Sequence, residues 1–373
     1  MTSLDIADND HHPYRAAIIG CGRMAHGHAR AWNADPRAEL VACADLFPEA
    51  GNAFAAEFGI PAVYTDYREM LTAERPDVIS ICTHHHLHAP MTIDAANLAT
   101  PRAILCEKPI ALDLVEADAM MAACKAAGTR LIVGHQRRYD RQTQPVKAAL
   151  DARRIGDVLF VEAFGHPRSS LLVDSTHTVD LVRYFLGDPR GAWVLGQIDA
   201  REHRSAWGQH IEDCAMAWIG FDNGTKLLLG AGSVMGDSAE DRISISPAPI
   251  TGGTYHRIVI HGSEGRLVLN GDRPNDNGAL VTLHRGGCTE VLYSAADFES
   301  DPTWSSVDAE VSALLDCLDQ PGLPHRLEAE SARATLEILM GIYESSRQRR
   351  AVRIPQDDPA DNALISMLAE GAV

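Results

Sequence analysis

Residues 15–25 read RAAIIGCGRMA, from Arg15 to Ala25, and the fold turns on them. Arg15–Gly20 is a short apolar run that ends in glycine, and Arg23–Asn33 has helical spacing. The turn between them, Gly20-x-Gly22-x-x-Ala25, suits the phosphate turn of a dinucleotide-binding βαβ unit. Its first glycine makes the tight turn, its second lets backbone approach a pyrophosphate, and the small third residue lets helix and strand pack closely. The helix N-terminus then faces the negative charge. Working outward, the apolar runs Glu39–Asp45, Asp77–Thr83, Ala103–Cys106 and Arg130–Gly134 alternate with helical stretches at Pro48–Phe58 and near 88–98 and 113–127. Such alternation predicts a parallel sheet covered on both faces. Cys21, Cys43, Cys82 and Cys106 sit at or near the ends of these runs and are read as small residues in tight turns.

Beyond residue 140 the pattern changes. Gly156–Gly165, Ala192–Ala200, Cys214–Phe221, Thr225–Gly232, His256–His261 and Gly265–Leu269 read as strands, with a helix over Asp174–Leu186. Asp222-Asn223-Gly224 is a strong hairpin signal. Two helices near 305–318 and 327–346 and a short strand at Val352–Ile354 close the pattern. The expected fold is α/β: a Rossmann-type doubly wound parallel sheet, then an α+β domain with a large, open, mostly antiparallel sheet. The expected division is a frayed stretch over 1–13, a nucleotide-binding domain over 14–138 and a substrate and oligomerisation domain over 139–373, whose C-terminal helix returns towards the first domain.

The 373 residues carry 33 Lys+Arg against 51 Asp+Glu, a formal charge of −18. So acidic a chain repels phosphate backbones and anionic lipid, which argues against nucleic-acid and membrane partners. No signal-like segment or membrane span is read, and the eight cysteines form no Cys-x-x-Cys pair, which suggests a reduced, cytoplasmic protein.

Several residue groups carry chemistry. Asp45 ends the second run, where a carboxylate can accept hydrogen bonds from the adenosine ribose and repel a 2′-phosphate, favouring NAD over NADP. Thr83-His84-His85-His86-Leu87-His88 is rich in imidazole but lacks a metal-ligand pattern, so no metal is expected. Glu107-Lys108-Pro109 follows another strand at the carboxyl edge of the sheet. A lysine there, close to an oxidised nicotinamide and partly buried, would have a depressed pKa and could act as acid or base. In Asp174-Ser-Thr-His177-Thr-Val-Asp180, His177 and Asp180 are three residues apart on a helix, an imidazole beside a carboxylate. Gln136, Arg138 and Tyr139 lie at the join between domains, and His166 and Arg168 precede Asp174. The arginines could hold an anionic sugar.

The order AAIIGCGRMAHGHARAW, VACAD, ICTHHHLHAP, ILCEKPIAL and LIVGHQRRY, closed by ESARATLEILMGIYESSRQRRAVRIP, resembles the glucose–fructose oxidoreductase, inositol dehydrogenase and rhizopine-catabolism (Gfo/Idh/MocA) family over residues 15–355. Thr83 and His88 match that family's Thr-Pro-Asn-x-x-His loop, whereas His84 and His85 replace its Pro and Asn. Glu107-Lys108-Pro109 matches in full. The family's Asp-x-x-x-His-x-x-Asp motif is met at His177 and Asp180, but Val173 stands at the first Asp and Asp174 follows one position late.

The resemblance implies NAD held along Gly20, Gly22, Arg23, Met24 and Asp45, and along Thr83, His85, His88, Glu107, Lys108 and Gln136. It implies Lys108, His177 and Asp174 at the reacting carbinol; by their positions in the chain, Arg138, Tyr139, His166 and Arg168 are added as candidates around a carbohydrate, neutral or anionic. The leading expectation is hydride transfer between the nicotinamide and a hydroxyl carbon of a sugar, sugar acid or cyclitol, in a homodimer or homotetramer. The alternative is a glycosidase that oxidises, eliminates, hydrates and reduces again with no net redox change. That route needs a further base, such as Tyr139 or Tyr255.

Overall fold

The computed structural model describes residues 12–165, 170–206, 209–232, 256–271, 274–275, 277–300 and 305–355. Residues 1–11 of the expected frayed stretch, and His166, Arg168 and Tyr255, lie outside the described residues.

The first half alternates β1 (Tyr14–Ile19), α1 (Arg23–Ala34), β2 (Ala38–Ala44), α2 (Pro48–Phe58), β3 (Ala62–Tyr64), α3 (Tyr67–Glu74), β4 (Val78–Ile81), α4 (His88–Leu98), β5 (Ala103–Cys106), α5 (Leu114–Ala127) and β6 (Arg130–Val133). The six strands are parallel in the order β3-β2-β1-β4-β5-β6. The order reverses between β1 and β4, the crevice where an open α/β sheet binds ligands at its carboxyl edge. Ile18, Ile19, Ile79 and Ile81 are buried there, each contributing about 1.5–3 kcal/mol of apolar burial. The strands are buried on both faces, so their sequences are continuous rather than alternating.

The second half adds α6 (Thr143–Asp151), β7 (Val158–Phe164), α7 (Thr176–Phe185), β8 (Gly191–Asp199), a small ribbon of β9 (Ser205–Ala206) and β10 (Gln209–His210), β11 (Cys214–Phe221), β12 (Lys226–Gly232), β13 (Arg257–Gly262), β14 (Arg266–Asn270), β15 (Ala279–Arg285), β16 (Cys288–Ser294), α8 (Ala295–Glu299), α9 (Ser306–Asp319), α10 (Ala329–Gln348) and β17 (Val352–Arg353). Nine strands form one sheet, β16-β15-β14-β13-β7-β12-β11-β8-β17, antiparallel except where β7 meets β12.

Eight elements, β3, α3, α6, β9, β10, β15, β16 and α8, were not read from the sequence. β3 has only three residues, and α3 and α6 are short helices. β16 is an edge strand with four exposed residues, so it lacks an apolar rhythm. Gly286-Gly287, both at positive φ, make its hairpin turn with β15. The helix expected to begin at Asp174 instead begins as a π-turn, Leu171–Ser175, followed by α7.

The last helices tie the halves together. The Leu327 carbonyl accepts from the Val133 N–H at 3.0 Å, and Glu328 bridges to Ile132, extending the edge beyond β6. α9 packs against α1, and α10 packs against β8, α7 and α5.

Candidate active site

The turn after β1 leaves a cradle that only backbone can occupy. Gly20 has φ +87°, and a Cβ there would lie 2.8 Å from the Thr83 methyl and 3.0 Å from the Cys82 carbonyl. Gly22 caps α1 without a side-chain hydrogen bond, and nothing stands within 4 Å of where its Cβ would be. Arg23 is exposed and Met24 half-buried beside that open helix end. The first turn of α1 holds no acidic residue, so its N–H groups and dipole present unopposed positive potential. These residues fit a dinucleotide pyrophosphate. Asp45 steadies the turn: its two oxygens accept from the N–H of Cys21 at 2.8 Å and of Phe47 at 2.9 Å. A carboxylate oxygen has a second lone pair, so these bonds leave acceptor capacity for a ribose.

At the ends of β4 and β5, buried polar groups fix the loop around Lys108. His88 is fully buried between the carbonyls of Pro109 (2.8 Å from Nδ1) and Thr83 (3.2 Å from Nε2), clamping one loop to the other. Burial pushes its ring down, against those two carbonyls. Glu107 is buried as well, and its Oε1 accepts from His28 Nε2 at 3.1 Å. His28 in turn meets Ser80, whose hydroxyl accepts from the Trp32 indole at 2.9 Å. Burial alone would raise the Glu107 carboxyl, but the hydrogen bond from His28 and the Lys108 ammonium hold it below the ordinary range. Half-buried His85 has its ring pushed down to about 3, first by burial and then by His88 and Lys108. His84 and His86 are exposed, and among the described residues no group of three or more His, Cys, Asp or Glu converges on a common point that could hold a metal.

Lys108 is half-buried, and its ammonium donates to the Val173 carbonyl at 2.7 Å. Burial lowers its pKa, Glu107 and Asp174 push it back up, and Arg137 and Arg23 push it down, with a net lowering. Val173 and Asp174 belong to the π-turn, where the Ser175 N–H donates to the Ser170 carbonyl at 3.0 Å and Ser170 Oγ accepts from the Val173 N–H. Such a turn takes in one residue more than an α-turn and often marks a functional site. His177, on the first turn of α7, is buried, and its Nδ1 has no hydrogen-bond partner among the described residues. The rings of His135 and His256 stand edge-on to it at 5.6 and 5.7 Å. Burial, then Lys108, His135 and His256, hold His177 well below the ordinary histidine range and therefore neutral.

The structure redistributes the other expected residues. Asp180 does not serve His177: it takes a bidentate fork from Arg138 at 2.7 Å on both oxygens, with His135 Nδ1 at 3.7 Å. Arg138, expected to hold substrate, is 1% exposed and locked between Asp180 and Asp188. Tyr139, expected as a substrate contact or base, is buried with its hydroxyl 3.3 Å from His325 Nε2 and Arg326 over its ring. Both were placed in the site because they follow β6, but the short helical turn Gln136–Tyr139 points them into the join between sheets. Gln136 is half-buried, and its Oε1 has no partner among the described residues. Sequence reasoning missed His28, His135 and Arg137. His28 could have been found from the spacing of the inward face of α1, where Ala25, His28, Ala29 and Trp32 are buried.

Residues 14–135 match the family described as "Oxidoreductase family, NAD-binding Rossmann fold", and residues 147–354 match its "C-terminal alpha/beta domain". The chain belongs to the Gfo/Idh/MocA family. As a Gfo/Idh/MocA oxidoreductase it has an NAD-binding Rossmann domain. It is 28% identical to the D-apiose dehydrogenase of Paraburkholderia graminis, covering 96% of this chain and 94% of that protein. It is 26% identical to the myo-inositol 2-dehydrogenase of Thermotoga maritima, covering 92% and 99%. Its fold matches that of an oxidoreductase from Agrobacterium radiobacter solved with NAD+, L-tartaric acid and magnesium, at TM-score 0.74 and 22% identity over 92% of this chain and 99% of that one. No helix among the described residues is long and apolar enough to cross a membrane.

Proposed function

We propose that this Gfo/Idh/MocA protein is an NAD-dependent dehydrogenase or reductase of a polyhydroxylated small molecule, a sugar, sugar acid or cyclitol, with Lys108 as the proton carrier. The observation that carries the reading is a half-buried lysine of lowered pKa at the carboxyl edge of the sheet, facing neutral His177 and the carboxylate of Asp174. The full-length relatives acting on apiose and myo-inositol support the substrate class.

The Gly20–Ala25 turn and the amino end of α1 would hold the pyrophosphate, Asp45 the adenosine ribose, and Thr83, His85, His88, Glu107 and Gln136 the nicotinamide end. When bound, the dinucleotide supplies the hydride acceptor or donor. Lys108 in its neutral form takes the hydroxyl proton of the carbinol, and as ammonium it returns that proton in reduction. His177 orients the same hydroxyl through its unpartnered Nδ1 or relays the proton. Asp174 supplies the carboxylate of the family motif from the π-turn, one position nearer His177 than the motif places it. Arg137, not Arg138, stands beside Lys108 and His177, so a substrate anion such as a carboxylate would meet Arg137 and Arg23 there.

We also propose that a second copy covers the outer face of the large sheet, where Leu195 is exposed and Phe160 stacks on Trp218 at 5.3 Å. Sedimentation at several concentrations tests this; a monomer throughout would refute it.

The test of function is a screen of sugars, sugar acids, cyclitols and aryl glycosides with NAD, following nicotinamide absorbance and released aglycone together. NADH rising in step with substrate loss is expected. Aglycone released over many turnovers without net NADH would replace this reading with the redox-assisted glycosidase.

A further inference from the structure

We propose that Glu212 is a positioning residue for the reaction: a buried carboxylate that fixes the π-turn on which Lys108 is docked. The inference rests on the reading of Lys108 as the proton carrier.

Glu212 lies between β10 and β11 and is 1% exposed. Its Oε1 accepts the N–H of Leu171, the first residue of the π-turn. Its Oε2 accepts the hydroxyl of Tyr343 at 2.8 Å, and Tyr343 is buried on α10. Two residues along the turn is Val173, whose carbonyl takes the Lys108 ammonium at 2.7 Å, and the next is Asp174. A path of directed contacts therefore runs from α10 through Glu212 and the turn to Lys108.

The arrangement costs more than a structural filler would. A buried carboxyl is unfavourable unless hydrogen-bonded, and an apolar side chain would fill the same space without that cost. Burial pushes the Glu212 carboxyl up, and the Leu171 N–H, its own N–H and the Tyr343 hydroxyl offset only part of that, leaving a net rise. What the carboxylate supplies is an acceptor for an N–H at the start of a helical turn, which lacks a partner within the helix. Without it the turn keeps its Ser170 contacts but loses the acceptor of the Leu171 N–H, and relaxation towards an ordinary α-turn would move both the Val173 carbonyl and Asp174.

Lys108 reports such a movement. Glu107 and Asp174 favour its charged form, while Arg23 and Arg137 oppose it. The rings of His85, His88, His135 and His177 also feel its charge. Loss of the Val173 carbonyl and of Asp174 removes stabilisation of the ammonium and leaves Glu107 alone, so the Lys108 pKa must fall further.

The chain has four lysines, Lys108, Lys125, Lys147 and Lys226, so reductive 13C-methylation gives four lysine resonances beside that of the N-terminal amine. Titrating the NAD-bound protein by NMR reads Lys108 without any substrate. In Glu212→Ala, Lys108 should titrate at lower pH than in wild type, with NAD affinity and circular dichroism unchanged. Glu212→Gln, which keeps an oxygen for Leu171, should restore it. Turnover of the best substrate from the screen should fall by about 10²-fold in Glu212→Ala and recover in Glu212→Gln. If Glu212→Ala does not fold, Tyr343→Phe carries the same test with a smaller shift in the same direction. An unmoved Lys108 overturns the inference. A moved Lys108 in an enzyme whose Lys108→Met variant still turns over at the wild-type rate overturns the proton-carrier reading, and the inference with it.

Discussion

Lys108 and Arg138 follow neighbouring strands of one sheet, β5 and β6, and both sit just beyond its carboxyl edge. Their surroundings are opposite. Lys108 is half-buried, docks on one backbone carbonyl and has its pKa lowered. Arg138 is wholly buried, makes paired hydrogen bonds to Asp180 and Asp188 and reaches the Arg326 carbonyl, and its charge is reinforced rather than undermined. The difference teaches that position at a strand end selects cations without saying what they do. A cation whose counter-charges are complete is structural, whereas one held short of them is available for chemistry.

The largest expected effect tests the first half of that contrast. Lys108→Ala should lower kcat by about 10²–10⁴ while NAD still binds and the melting temperature holds. Near-wild-type turnover would break the comparison. Arg138→Ala should do the reverse: with Asp180 buried and unpaired, stability should drop by about 3–5 kcal/mol in denaturant titration. Loss of turnover at unchanged stability would return Arg138 to the substrate site.

His135 lies between the two cations, and burial brings its ring down from 6.5 to about 4 despite nearby Asp180. The unfolded chain takes up this proton below pH 6.5 and the folded chain only near pH 4, so stability should fall with pH across that window. The His135 share is on the order of 3 kcal/mol, and His135→Asn should flatten the slope measured by urea unfolding at stepped pH. The smallest effect sharpens the Arg138 side. Asp188 is 40% exposed at its side chain, so Asp188→Asn should cost about 1 kcal/mol or less, well below Asp180→Asn, which empties the buried arm of the same fork.

Much of the first half was legible because its strands are continuous apolar runs and its glycines sit where backbone must come close, as at Gly20. The Glu107-Lys108-Pro109 motif was legible as chemistry because a lysine at that edge is not needed for packing. What stayed hidden has physical reasons. The partner of Asp180 is Arg138, forty-two positions away, a pairing that helical spacing from His177 cannot show. Whether Asp174 faces inward depends on a π-turn, and the sequence pattern of such a turn does not differ from that of an α-helix start. His135 and Glu212 act through contacts between distant segments, and single buried polar residues in loops carry no periodic signal.

The returning segment at Leu327–Glu328 has a consequence for how such a protein can be divided. It adds a rung beside β6, and Arg130 pairs with Glu328 across that seam. Arg37 similarly reaches Asp316 and Asp319 on α9. The nucleotide-binding half therefore borrows its outer edge from the far end of the chain. A gene fragment cut after residue 138 would encode all six strands and still leave that edge bare and Arg138 without either aspartate. The two halves look like interchangeable modules in order along the chain, but a recombination that swaps one must carry the other's closing helices with it.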